Sequence, residues 1–153
     1  MKELTAESAP TAAKWLGGLG LIPFFAIALA APFLETGQRR QATFALAAYG
    51  ATILSFLGGV HWGAAIVSPA KIRANDTFVV QLGLSIVSPL LAWLALVLPP
   101  EPGLFLLALG LLAMLGIDAW TKRNGLLPAW YVRLRYPLSL AAGACLIARA
   151  LWI

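Results

Sequence analysis

Hydrophobic residues in this chain neither alternate with polar ones nor keep to one helical stripe. They run on in long stretches, and the polar residues collect between the runs. Five runs cover 15–34, 42–67, 78–98, 103–120 and 137–153. About 20 apolar residues in a helix cross the roughly 30 Å hydrocarbon core of a bilayer. Membrane-spanning β-strands would alternate in short segments, and these runs do not. The pattern predicts an all-α fold: an integral membrane bundle of five transmembrane helices, one domain over 15–153 behind a tail at 1–14. The second run is longer than a bilayer needs and is expected to tilt, while the last two lie near the lower limit.

Composition agrees, with 61% hydrophobic and 11% charged residues in 153. That lies outside the range of soluble domains. The net charge of +5 raises nucleic acid as a partner, but the basic residues are spread between spans and form no single face. Anionic headgroups and topology account for them more simply, so the lipid bilayer is the expected partner and nucleic acid is not. The single cysteine, Cys145, lies within the last run and reads as a small buried filler. Ala28-Leu29-Ala30 resembles a signal-peptide cleavage site, yet the apolar run continues to Leu34, so a retained span is expected. The first 14 residues carry two glutamates and no arginine, unlike a mitochondrial transit peptide. A bacterial inner membrane is the expected location.

Five spans put the termini on opposite sides. Of the 11 Lys and Arg residues, only Arg39, Arg40 and Arg149 fall on the side away from the N-terminus. The positive-inside rule then places the N-terminus in the cytoplasm and the C-terminus outside. Trp15, Trp62, Trp120 and Trp130 fall toward the inner interface, and Trp93 and Trp152 toward the outer one, as anchoring indoles do.

Candidate chemistry centres on the one histidine, His61, in the second run. Ionisable groups at membrane depth are costly and are default candidates for a site. The same helix carries small residues at every fourth position: Ala47, Ala51, Ser55, Gly59 and Gly63. Such a stripe lets another helix approach closely, and Gly58, with Gly50, Leu54 and Leu57, falls on the face of His61. At about 100° per residue His61 points away from Gly59 and Gly63, so this helix is expected to pack on two sides at the bundle's centre. His61 lies roughly 9 Å from the inner end of its run. Gln81, Ser85 and Asp118 fall at a similar depth, which makes His61, Gln81, Ser85 and Asp118 a candidate polar site. An aspartate can hold a histidine in one tautomer or stabilise its imidazolium. The alternatives are a His61 bonded only to nearby backbone or serine, and an Asp118 paired with Lys122 one turn on.

The segment before the last run carries Pro128, Trp130, Tyr131, Arg133, Arg135 and Pro137. Its apolar face flanked by arginines predicts a short interfacial helix meeting headgroup phosphates or another anion through Trp130, Tyr131, Arg133 and Arg135. The alternative turns one arginine inward to pair Asp118 or clamp an anionic ligand. Pro89 should kink the third helix, with Ser88 helping to satisfy the freed carbonyl. Arg149 is expected to snorkel to headgroups beside Trp152. No His/Cys/Glu cluster for a metal, no phosphate loop and no nucleophile elbow occur in the sequence, so no metal, cofactor or catalytic residue is expected.

The run Phe-Leu-Gly-Gly-Val-His-Trp-Gly at 56–63 resembles the signature of the DUF3429 family of transmembrane-protein-69-like proteins. Ser-Ile-Val-Ser-Pro-Leu-Leu-Ala-Trp at 85–93, Asp118 and Trp-Tyr-Val-Arg-Leu-Arg at 130–135 extend the resemblance over most of the chain. It implies a small multi-span inner-membrane protein of bacteria or mitochondria, with no established activity. The leading expectation is therefore a non-enzymatic accessory or assembly protein acting by helix association, as a homo-oligomer or with a membrane-protein partner. The alternatives are a proton-linked or small-solute transporter-like site around His61, Gln81 and Asp118, or anionic headgroup binding by the 130–135 segment.

Overall fold

A computed structural model of the chain describes residues 8–68 and 76–152. Lys2, Lys71 and Arg73, which entered the charge count, lie outside these residues, as does Ile153. Among the described residues the elements are all helical: α1 (Thr11–Leu19), α2 (Ile22–Ala30), a single 3₁₀ turn (Ala31–Phe33), α3 (Thr36–Ile66), α4 (Asp76–Val97), α5 (Pro100–Arg123) and α6 (Ala129–Leu151). Five segments are long and apolar enough to cross a membrane, the first being Thr11–Phe33, which joins α1, α2 and the 3₁₀ turn. The protein is a multi-pass membrane protein.

Prolines and glycines set the breaks. Pro23 lacks the N–H that would bond back to Leu19, and its ring crowds that carbonyl, so α1 closes and α2 restarts with Pro23 in its first turn. Tyr49 of α3 donates its hydroxyl to Gly20 O at 2.9 Å, satisfying a carbonyl left at this break. Pro99 and Pro100 open α5 in the same way. At its other end Gly125 takes φ +74°, with Leu126 N–H donating to Thr121 O and Gly125 N–H to Lys122 O. This Schellman closure needs the left-handed region that glycine adopts without strain, and it sends the chain straight back as α6.

Helix ends overshoot the apolar runs. α3 starts at Thr36, where its apolar run starts at 42, and α5 continues to Arg123 beyond 120. Hydropathy marks what can sit in hydrocarbon, whereas backbone hydrogen bonding continues through polar residues beyond it. At 31 residues α3 is about 46 Å long, so it tilts or projects from the bilayer. The largest difference concerns the last helix. The short helix expected before Pro137 is not a separate element, because Pro137 lies within α6 and residues 129–136 are its first turns.

α3 occupies the middle, bordering α2, α4, α5 and α6, while α5 packs along α4 and α6. Leu46, Leu54, Leu104, Leu107, Leu111 and Leu146 interlock in the core, with Phe24 of α2 set edge-on to Tyr49. Two close approaches require glycine. A Cβ on Gly103 would sit 2.3 Å from Ala95 O, and one on Gly58 would sit 2.5 Å from Ser85 O. Ser85 O is the carbonyl that Pro89, inside α4, leaves without its helical donor, so α3 presses its barest residue onto that oxygen.

Polarity is distributed as a hydrocarbon solvent demands. Phe33, Phe44, Trp93 and Leu109 face outward, while Thr43, His61, Gln81, Asp118, Thr121, Arg135 and Arg149 are buried. Arg149 corrects the snorkelling expectation. It is buried, its Nε donates to Thr43 Oγ1 of α3 at 2.9 Å, and its Nη1 donates to Trp152 O at 2.9 Å. An inward acceptor on α3 and a carbonyl at its own helix end take two of its five N–H donors.

Candidate functional site: a buried His–Asp–Arg chain beside an apolar cavity

Three helices bring the expected polar residues to one point. His61 is five residues from the end of α3, Gln81 is in the second turn of α4, and Asp118 is near the end of α5. His61 Nε2 lies 2.9 Å from Asp118 Oδ1, and Gln81 Nε2 lies 3.3 Å from His61 Nδ1 and 3.4 Å from His61 O. Asp118 is 0% exposed and His61 1%, so the pair is shielded from water and lipid alike. Lys122 is exposed, and Asp118 turns inward away from it.

The fourth helix closes the chain. Arg135 of α6 donates Nε–H to Asp118 Oδ2 at 3.3 Å and is itself buried. Of the two inherent possibilities for the 130–135 segment, the inward arginine is the one the fold adopts, while Arg133, two residues away, points outward. Each carboxylate oxygen therefore has its own partner, a histidine on one side and a guanidinium on the other. Carboxylate and guanidinium cancel, and a neutral His61 leaves the cluster without net charge, which limits the cost of burial.

The surroundings select the histidine tautomer. Nδ1 faces the Gln81 amide N–H group and the Thr121 hydroxyl at 3.3 Å, both able to donate. With either group donating, a neutral His61 carries its proton on Nε2, toward Asp118. With Nδ1 taken by Gln81, Thr121 donates to Gln81 Oε1 at 3.4 Å. Thr121, Gln81, His61, Asp118 and Arg135 thus form one chain across α5, α4, α3, α5 and α6. Thr121 escapes a sequence reading that starts from ionisable groups, yet it sits three residues after Asp118, on the same helical face.

The other sequence candidates go elsewhere. Ser85 donates to Leu82 O of its own helix at 2.6 Å and does not join the chain. Ser88 donates to Leu84 O at 3.2 Å and faces Met114 Sδ at 3.3 Å. Ala51 is buried and Ser55 half-buried, whereas Gly59 and Gly63 are exposed, with nothing within 4 Å of where a Cβ would stand. Close packing inside the chain is made by Gly58, on the face that His61 shares. Trp130 stands edge-on to Tyr131, both half-buried.

Arg135 also borders a cavity. A cavity of about 330 Å³ lies between α1, α2, α3 and α6, walled by Leu16, Leu21, Phe24, Leu57 and Leu138 among others. Tyr131, Arg135 and Ser139, one helical turn apart on α6, supply its polar side.

Residues 9–151 match the family described as "Protein of unknown function (DUF3429)". The chain is similar to Transmembrane protein 69 of Xenopus tropicalis, with 40% identity over an alignment of 141 residues, covering 89% of this chain and 52% of that protein. It spans about half the length of that curated relative. No solved structure matches it. With the family match running from α1 to the end of α6 and including His61, Gln81, Asp118 and Arg135, the chain belongs to the DUF3429 family.

Proposed function

We propose that this protein is a proton-linked small-solute carrier whose working site is the His61–Asp118–Arg135 chain. The observation that carries the reading is Asp118, a fully buried carboxylate held at 2.9 Å by His61 and at 3.3 Å by Arg135. Buried charges at membrane depth are rare and recur in proton relays and solute pathways. A neutral cluster of this kind is poised: a proton added to the His61–Asp118 pair leaves Arg135 uncompensated, and an anion at Arg135 restores neutrality. Proton and solute then stabilise each other's binding, as reciprocal linkage requires. The Gln81 amide can follow the change, since turning it over presents its oxygen to a protonated Nδ1.

The test is proton entry into reconstituted vesicles holding a trapped pH-sensitive dye. A panel of short- and long-chain carboxylates, amino acids and inorganic phosphate is added outside under an imposed pH step. At least one solute should speed acidification, and His61→Ala or Asp118→Asn should cut that rate at least about tenfold. Rates equal to protein-free vesicles across the whole panel would sink the reading.

A second reading, an accessory or assembly role by helix association, is supported by the open face of α3 at Gly59 and Gly63. Its occupant would be a second copy or another membrane helix. Under either reading we place the protein in a bacterial inner membrane, N-terminus in the cytoplasm and C-terminus outside, as the basic-residue asymmetry favours.

A further inference from the structure

Among the described residues, four buried side-chain polar atoms lack a hydrogen-bond partner: Arg39 Nε, Tyr131 Oη, Arg135 Nη2 and Ser139 Oγ. The last three belong to residues that line the same cavity, at i, i+4 and i+8 of α6. Arg135 and Ser139 are more than nine-tenths buried. Buried polar groups are almost always partnered, so three unpartnered ones, each with less than 1 Å² of accessible surface on residues along one wall of one cavity, call for a ligand that these side chains turn to meet. The rest of the wall is apolar. Leu16 and Phe56, at its rim, are 68% and 64% exposed, so it opens sideways toward the bilayer.

We propose that this cavity binds a long-chain monocarboxylate that enters from the membrane. The inference rests on the proton-linked reading and names its substrate class. Two hydroxyls and one guanidinium nitrogen match the two oxygens of a carboxylate, which offer about four acceptor sites. The apolar walls take the chain. A phosphomonoester would bring a second negative charge that a lone arginine, already paired with Asp118, does not balance, and the singly charged phosphodiester of a lipid headgroup is separated from a carboxylate by direct comparison of the two ligands.

Charge bookkeeping gives the step. The acid dissolves in hydrocarbon in its neutral form. At the cavity its O–H bond breaks, the proton passes to the Asp118–His61 pair, and the carboxylate takes Asp118's place as the partner of Arg135. The cluster is neutral before and after. Asp118 and His61, with Gln81 and Thr121 beside them, face the proton from α5, α3 and α4, and Arg135 and Tyr131 face it from α6.

Spin-labelled stearate and purified protein in detergent micelles provide the test, with the methyl ester of the probe and a spin-labelled phosphatidylglycerol as comparisons. Native protein should immobilise stearate in preference to both. Its affinity should rise about tenfold per pH unit, about a hundredfold from about pH 8 to about pH 6, since binding from solution takes up one proton. Tyr131→Phe and Ser139→Ala, which remove one oxygen each, should weaken binding about fivefold apiece, and Ser139→Leu should abolish it by filling the cavity. Asp118→Asn, which fixes that position neutral, should bind stearate more tightly at pH 8 and lose the pH dependence. Three results overturn the inference: no immobilised stearate, equal binding of the methyl ester or of phosphatidylglycerol, or binding untouched by Ser139→Leu. If stearate binds and the hydroxyl variants behave as stated but no proton is taken up, the cavity assignment holds and the proton-linked reading fails. If another solute drives proton entry and stearate does not bind, the proton-linked reading holds and the carboxylate assignment fails.

Discussion

Asp118 is the residue on which most of the polar chain depends, since it bonds both His61 and Arg135. Removing one partner of a buried pair strands the other, at a cost of about 3–5 kcal/mol, whereas removing both can be nearly neutral. Asp118→Asn and Arg135→Gln should therefore each destabilise the protein by about 3 kcal/mol, and the double variant should recover most of that loss. Denaturant unfolding in detergent micelles checks this, and losses that simply add would show that the two side chains act independently. How this residue pairs was only partly legible in the sequence. Depth is readable, because residues can be counted from the ends of apolar runs, and counting put His61, Gln81 and Asp118 at one level. Azimuth is not, because rotation about each helix axis is set by packing. Ser85 had the right depth and bonds its own helix. Arg135 was harder still, since arginines near the end of a span usually reach outward, as Arg133 does. Ser139 and Thr121 look like ordinary small polar residues until the charged residue one turn away is known.

Between α3 and α4 a single glycine decides how near two helices come. Gly58 rests against the Ser85 carbonyl that Pro89 leaves without its helical donor, and a Cβ there would stand 2.5 Å from backbone that cannot move aside. Gly59, one position on, meets nothing within 4 Å. Leucine at the two positions should therefore act in opposite ways. Gly58→Leu should separate the helices, displace His61 from Gln81 and lower thermal stability by several degrees. Gly59→Leu should leave melting unchanged and, if α3 meets another helix there, abolish crosslinked dimers or partner adducts in membranes. Equal melting of the two variants would refute this account of the α3–α4 contact. Rotation of about 100° per residue puts the adjacent glycines on different faces, and the sequence expected both faces to pack; hydropathy is blind to which of them packs inside the chain. It also divided the last helix at Pro137. A proline removes one hydrogen bond, and a membrane helix packed by neighbours can continue through that loss.

For the whole molecule the sequence was most legible, because a bilayer imposes one length and one solvent. Five runs became five spans, and the differences lie at ends where helix outlasts hydrocarbon. Orientation rests on charge alone and has a direct check. In a Cys145→Ala background, a membrane-impermeant maleimide added to intact bacteria should label Gly37→Cys, at the start of α3, and not Asn124→Cys, after α5. The reverse pattern would invert the assignment. Among the described residues the bundle also carries two polar fastenings between α3 and α6, one at each end. Thr43 meets Arg149 directly, and His61 meets Arg135 through Asp118. Along α3 they are about 27 Å apart, and along α6 about 21 Å. Greasy surfaces sliding in oil have little to tell one register from another, for van der Waals contact survives a small slip. One bolt would still let the pair swivel like scissors. Two bolts, far apart and made of different atoms, leave a single angle and a single register at which both close, so these two helices reach their places as a lock reaches its key, by alignment and not by pressure.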